Sequence, residues 1–167
     1  TWERLPDLPV SEVTNTHRQL VGAYRVDSVS RYTADGYSLP AEQYETGYIL
    51  YAESGHMSVH LMRPGRLPYA GEQPTAEEAL MVTETYGSYF GPFSVHEIVG
   101  CITCPGPRDE GYLIHHRVGN EDPRYSGTDA RRYYELTDTH LTLRPPVRTD
   151  DDGQQVQPVI RWIRLVP

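Results

Sequence analysis

Histidine, tyrosine and arginine are the side chains with which this sequence could do chemistry. His116 could move a proton, Tyr51 and Tyr134 could donate hydrogen bonds, and the guanidinium of Arg132 could bind an oxygen anion. Each also has a structural alternative: a satisfied core histidine, wall tyrosines, and an arginine paired with a buried carboxylate or stacked on an aromatic ring. We take these four as the candidate catalytic residues and ask which elements would bring them together.

Several kinds of covalent and cofactor-dependent chemistry have no support in the sequence. All 15 basic residues are arginines, which excludes a Schiff-base lysine. The chain has no G-x-S-x-G elbow, Gly-rich phosphate loop or HExxH motif, so we expect neither cofactor nor metal. Cys101 and Cys104 form a CxxC that runs into a Pro-Gly-Pro turn, and no second ligand pair accompanies it. This spacing favours a structural or incidental pair over a redox or metal site.

Length and charge indicate one domain and argue against a nucleic-acid partner. The 167 residues suit an irregular N-terminal arm at 1–13 and a single domain at 14–167. The net charge of −8 and the lack of a basic patch argue against nucleic acid. No apolar run approaches the roughly 18 residues of a membrane span. No secretory leader is visible, although the chain starts at Thr1 and an already removed leader is left open. We expect a cytoplasmic monomer or homodimer.

Period-two alternation predicts a chain made mainly of strands. It begins at Gly22, and further candidates are 46–53, 56–63, 90–100, 111–119, 130–137, 140–145 and 157–165. Eight antiparallel strands can close into an up-and-down barrel with room for one small ligand. Thr75 and Glu78 stand at capping-box spacing and predict an inserted helix that runs to about Gly87 and covers one end. A second, short helix is predicted at 14–20.

The hairpin around Glu53-Ser54-Gly55 has one face that is more apolar than the other. With Gly55 in the left-handed position of a bulge turn, Tyr51 pairs with Met57. The predicted inward residues are Ile49, Tyr51, Met57, Val59 and Leu61. His56 and His60 then face outward. A two-residue turn would shift the register and reverse these faces.

Two later strands place the remaining candidates. A two-residue turn at Asp138-Thr139 pairs Tyr134 with Leu143, so that Arg132 and Tyr134 share the inward face. In Tyr112–Val118, the face that holds Ile114 and Val118 is the more apolar, so His116 is predicted inward and His115 outward.

The predicted substrate-binding residues are those expected to line the interior or its mouth. They are Tyr24, Ile49, Met57, Val59, Leu61, Arg63, Tyr89, Phe93, Val95, Leu143 and Trp162. Ser28 is expected to face inward with Tyr24. Arg63 would attract an anionic substrate at the mouth, although Arg63-Pro64-Gly65-Arg66 is slightly favoured as a simple turn. A largely apolar cavity with few polar anchors is typical of small-molecule sites.

Five segments together resemble the lipocalin-like domain proteins of bacteria and fungi. They are LVGAYRV (20–26), GYILYAESGHMSVHLMRPGR (47–66), TAEEALMVTETYGSYFGPFSV (75–95), HHRV (115–118) and RRYYELTDTHLTLRPP (131–146). The resemblance covers about 20–164 and implies a compact β-barrel with an internal pocket, plugged or capped by helices. True lipocalins carry Gly-x-Trp on the first strand, with a late arginine packed on the Trp. Here Gly22-Ala23-Tyr24 replaces it, and Arg161 or Arg164 could supply the arginine.

The resemblance also implies candidate functions, because some barrels of this family are associated with secondary metabolism. There they resemble cofactor-free cyclases or isomerases, which would fold a hydrophobic polyketide-like or terpenoid substrate in the interior. The favoured hypothesis is such an enzyme. The alternatives are a non-catalytic carrier of a hydrophobic metabolite and a structural module whose barrel is completely filled. Fold alone does not decide among them.

Overall fold

The computed structural model describes Glu3, residues 13–97 and residues 111–165. The elements in chain order are α1 (Asn15–Leu20), β1 (Gly22–Thr33), β2 (Ser38–Leu39), β3 (Thr46–Tyr51), β4 (His56–Met62), α2 (Ala76–Thr85), β5 (Tyr86–Glu97), β6 (Gly111–Arg117), β7 (Gly119–Asn120), a 3-10 turn (Pro123–Tyr125), β8 (Thr128–Leu136), β9 (His140–Arg144), β10 (Arg148–Thr149) and β11 (Gln155–Arg164). Most of the predicted N-terminal arm, the CxxC and the end of the predicted strand 90–100 lie outside the described residues.

The eight long strands form a closed, antiparallel up-and-down barrel. Each pairs with the next long strand along the chain, and β1 also pairs with β11, which closes the cylinder. The predicted fold class, with one inserted helix and a short N-terminal helix, is therefore confirmed. β5 begins at Tyr86 rather than at residue 90, because it follows α2 without a connecting loop.

The β3–β4 hairpin has the predicted register. Tyr51 pairs with Met57, and the backbone N–H of Ala52 donates to the carbonyl of His56 at 2.8 Å. Gly55 has φ of 73°, the left-handed conformation that the turn requires and that glycine adopts without strain. Tyr51 and Met57 flank the turn and were predicted to point inward, and both are buried. The hairpin around Asp138-Thr139 is likewise confirmed, with Tyr134 opposite Leu143.

A bulge in β1 reverses the faces of that strand. The pairing with β11 shifts between Val26 and Ser28. An extra residue moves every later side chain to the other face of the sheet. Tyr24 is buried, whereas Ser28 is exposed, so the prediction that Ser28 faces inward was wrong.

Threonine caps fix the first turn of both helices. The hydroxyl of Thr14 accepts from the backbone N–H of His17 at 3.0 Å. Thr75 and Glu78 form the predicted capping box, in which the Glu78 carboxylate accepts from the Thr75 N–H at 2.7 Å. No residue of α2 is buried, and the helix leads directly into the mouth end of β5. Since none of its residues is buried, α2 does not fill the core of the barrel.

Large side chains fill the opposite, closed end of the barrel. Leu20, Tyr24 and Trp162 are almost completely buried there, and the Tyr24 hydroxyl donates to the Leu20 carbonyl at 2.9 Å. The Arg164 guanidinium lies 4.7 Å from the centre of the Tyr24 ring and donates to the Val21 carbonyl at 3.0 Å. Burial raises the pKa of Tyr24 to about 12, against the opposing charge of Arg164. The expected arginine–aromatic contact is therefore present, with Arg164 as its arginine.

Candidate functional site

A cavity of about 280 Å³ lies at the barrel mouth, between the end of α2 and the facing strands. Its apolar wall is provided by Val59 and Leu61 of β4. Aromatic rings form much of the remainder, namely Tyr44, Tyr86, Tyr89 and Tyr125. The volume lies near the lower end of the range of small-molecule pockets, roughly 300 Å³. Its size suits a molecule of one or two rings, or a short folded chain.

A buried histidine connects this cavity with the packed interior. His115 is completely buried, with its Nε2 2.9 Å from the hydroxyl of Tyr51 and its Nδ1 3.0 Å from the hydroxyl of Tyr89. Tyr51 is buried as well, whereas Tyr89 is half-buried and lines the cavity. Three strands, β3, β5 and β6, therefore contribute one side chain each to a Tyr51–His115–Tyr89 chain.

Burial decides the direction of the hydrogen bonds in this chain. The Tyr51 hydroxyl must donate somewhere because it is buried, and its partner in the described residues is the Nε2 of His115. Nε2 is then the acceptor, so that the neutral ring carries its proton on Nδ1 and donates it to the Tyr89 oxygen. The O–H of Tyr89 remains to donate toward the cavity. The positions of these protons are thus assigned from the hydrogen-bond partners of the three side chains.

The electrostatic surroundings keep the chain neutral. Burial holds the pKa of His115 well below 6.5, and the positive charge of Arg132 lowers it further. Burial also raises the pKa of Tyr51 well above its ordinary value, because a phenolate there would lose its hydration. The chain is therefore suited to donating a hydrogen bond or relaying a proton, and not to holding a permanent ion.

As predicted, Arg132 lies on the inward face of β8. Ala130 and Tyr134, two residues before and after it on the same face, are buried. It is half-buried, so part of its surface faces solvent. Its charge lowers the pKa of Tyr51 and of His115. On the neighbouring strand β6 it stands opposite Leu113, two residues from His115. Tyr134 is 1 % exposed and belongs to the core.

The predicted binding residues divide between the cavity and the packed core. Val59, Leu61, Arg63 and Tyr89 line the cavity. Tyr24, Ile49, Met57, Phe93, Leu143 and Trp162 are at most 5 % exposed and fill the core, and Val95 packs against them. Arg63 stands at the mouth as expected, where it forms an ion pair of 2.6 Å with Glu42.

The prediction that His116 faces the interior was wrong. Its side chain lies on the outer face and is 40 % exposed, with Nδ1 2.8 Å from Asp129 and Nε2 3.2 Å from the Ser94 hydroxyl. The barrel buries Leu113 and His115 of β6 instead. Both faces of this strand carry aliphatic residues, so counting apolar positions could not identify the inward one.

Sequence reasoning missed His115 and Arg117 as interior groups. The signal that could have found them is strand pairing, because His115 stands opposite Ala130 and Leu113 opposite Arg132. Directly opposite residues of an antiparallel pair share a face. The inward assignment of Arg132, which was already made, would therefore have turned Leu113, His115 and Arg117 inward as well.

A closed eight-stranded barrel with a packed end and a mouth cavity defines the lipocalin type of protein, which is compatible with binding a small hydrophobic ligand. A profile of the lipocalin-like domain matches residues 21–165, and the chain belongs to that family.

Two solved structures of bovine odorant binding protein are similar in fold. The complex with a selenium-containing odorant is 11 % identical over 93 % of this chain and 76 % of that chain, with a TM-score of 0.41. The complex with its natural ligand is 12 % identical over 99 % and 79 %, with a TM-score of 0.40. No curated protein matches the sequence. Within 13–97 and 111–165, no helix is long and apolar enough to cross a bilayer.

Proposed function

We propose that the protein binds a small, mainly hydrophobic molecule in the mouth cavity. The observation that supports this is the junction of an apolar wall, Val59 and Leu61, with the inward-directed hydroxyl of Tyr89. An apolar surface supplies most of the binding free energy in such a pocket, and one or two fixed polar groups orient the ligand. The packed closed end restricts the ligand to the mouth half of the barrel.

Filling the cavity tests this proposal. Leu61→Trp adds a large ring to the cavity wall, so we expect it to abolish binding of 1-aminoanthracene, a neutral fluorescent probe. Tyr48→Trp is the matched control, because Tyr48 lies on the outer face of β3 and is 41 % exposed. Thermal unfolding of both variants establishes that they are folded. Equal probe binding by Leu61→Trp and the wild type, or no binding by the wild type, would contradict the proposal.

We further propose, as the second candidate, that the barrel is a cofactor-independent cyclase or isomerase in polyketide or terpenoid secondary metabolism. The Tyr51–His115–Tyr89 chain favours it. With its proton on Nδ1, His115 donates to Tyr89, which strengthens the hydrogen bond that Tyr89 in turn donates to a ligand oxygen. A carbonyl held there would be stabilised as negative charge develops on its oxygen, and the cavity would keep a flexible chain folded for ring closure.

Enolisation of a bound ketone tests the catalytic candidate. In the exchange of α-hydrogens of 2-tetralone in D₂O, a buffer base removes the α-proton and the solvent returns a deuteron, while the protein would stabilise the enolate oxygen. The exchange, followed by NMR, should be faster with the protein than in buffer. Removal of one well-placed oxyanion donor costs about 10²-fold or more, so Tyr89→Phe should lose most of the acceleration while it keeps binding. Tyr86→Phe is the control, because its hydroxyl bonds to His60, 2.6 Å away. Exchange no faster than in buffer would count against catalysis and leave binding intact.

A further inference from the structure

Two arginines flank His115 on the inward surface formed by β6 and β8. In this pair of strands Leu113 stands opposite Arg132, His115 opposite Ala130, and Arg117 opposite Thr128. Side chains that are two residues apart on one strand share a face, so Arg117 and Arg132 point to the same side as the buried His115. Both arginines are half-buried.

Neither guanidinium has a carboxylate partner among the described residues. Arg117 donates to the carbonyl and the hydroxyl of Thr128, and it lies 4.9 Å from the ring centre of Tyr125 and 6.0 Å from that of Tyr89. Arg132 donates to the carbonyl of Arg131 at 2.8 Å. By contrast, carboxylates lie within 4.0 Å of Arg31, Arg63, Arg124, Arg144 and Arg161.

This arrangement places two like charges on either side of His115 in a protein of net charge −8. Burial lowers the pKa of Arg117, and the charge of Arg132 lowers it further, against opposing contributions from Tyr89, Tyr125 and Asp129. Interior cations are normally balanced by an anion, because removing a charge from water is costly without one. The binding of an anionic group would supply that balance.

We infer that the ligand of the barrel carries a carboxylate, which Arg117 and Arg132 bind while the apolar part of the ligand lies along Val59 and Leu61. The inference rests on the proposed binding function and names the ligand class. A guanidinium matches a carboxylate with two parallel N–H donors. The O–H of Tyr89, which is left to donate toward the cavity, supplies a further hydrogen bond.

Acidic residues near the rim would orient such a ligand. Glu121 and Asp122 line the cavity, and the Glu121 N–H bonds to the Ser88 carbonyl. His115 pairs with Phe93, farther along β5 from the mouth. The carboxylates therefore lie nearer to the entrance than His115 does. Asp122 is paired with Arg124, so Glu121 is the carboxylate that would repel an anionic end left at the rim, which favours the pose with the charged end inward.

A pair of ligands that differ in charge tests the inference. 2-Naphthoic acid is ionised at neutral pH, whereas 2-naphthalenemethanol has the same ring and no charge, and both can be followed by fluorescence. We expect the acid to bind at least about tenfold more tightly, which corresponds to about 1.4 kcal/mol. Arg132→Gln and Arg117→Gln should each reduce this ratio toward one while the alcohol binds as before. Arg131→Gln, on the outer face of the same strand, should leave the ratio unchanged.

The possible results separate the two proposals. Unchanged binding of the alcohol shows that an arginine variant is folded, so that a loss confined to the acid supports the inference. Equal affinity of the wild type for acid and alcohol would overturn the carboxylate assignment and leave the binding function standing. Binding of neither compound, together with no binding of 1-aminoanthracene, would overturn both.

Discussion

Replacing His115 by glutamine should remove a large part of the acid sensitivity of the barrel. The unfolded chain titrates this histidine near 6.5, whereas burial holds its pKa in the folded barrel well below that value. As the pH falls below about 6.5, the unfolded state takes up a proton that the folded state does not, so the free energy of unfolding decreases. Above that pH the side chain is neutral in both states and contributes no pH dependence.

The size of the effect follows from one proton. Each pH unit below the unfolded pKa costs up to about 1.4 kcal/mol, so that His115 should lower the free energy of unfolding by at most about 2 kcal/mol at pH 5. Glutamine suits the replacement because its amide oxygen can accept from Tyr51 and its amide N–H can donate to Tyr89. It keeps both hydrogen bonds and does not titrate.

Urea unfolding at several pH values from about 5 to 8 measures this difference directly. The carboxylates and the second buried histidine, His17, titrate in both proteins, so their contributions cancel when the two curves are subtracted. His116→Gln is the matched control and should retain the steep dependence, because His115 is still present. Parallel curves for the wild type and His115→Gln would refute the argument, since they would mean that the folded barrel protonates His115 as readily as the unfolded chain.

Three further substitutions test the interior and the closed end. Tyr51→Phe should destabilise the protein by about 1–3 kcal/mol, because His115 then buries an unpaired Nε2; a neutral effect in urea unfolding would show that this bond does not form. Arg164→Met should cost about 2 kcal/mol in the same measurement, since it removes the hydrogen bonds to the carbonyls of Gln19 and Val21 and the contact with Tyr24; retention of wild-type stability would show that the closed end is held by packing alone. Gly91→Ala should cost about 3 kcal/mol or more, because the added Cβ would lie 1.9 Å from the backbone oxygen of His116 in β6. A thermal midpoint equal to that of the wild type would contradict this close approach of β5 to β6.

Local patterns predicted the eight long strands, the two helices and two hairpin registers correctly. Alternation located the eight long strands, and the Thr75–Glu78 spacing identified the start of α2. Glycine at position 55 indicated the bulge turn that sets the register of the first hairpin. These features depend on residues close together in the chain, so the sequence alone carries them.

The faces of two strands could not be predicted in the same way. In β6, Leu113 and Ile114 are equally apolar, and only the barrel decides that Leu113 and His115 turn inward. In β1, the alternation continues without interruption through a bulge that the sequence does not mark, and Ser28 turns outward. A period-two pattern defines two faces, but the neighbouring strands determine which of them is buried.

The sequence by itself thus determined that the chain is an eight-stranded barrel with an inserted helix, and it identified Tyr51, Tyr89 and Arg132 as interior candidates. Only the tertiary structure placed His115 between the two tyrosines, because β3, β5 and β6 meet there from distant parts of the chain. The pairing of β6 with β8 likewise placed Arg117 and Arg132 on the same face as His115. Hydrogen bonds and charge interactions of this kind depend on distances across the barrel, and those distances are set when the strands close into a cylinder.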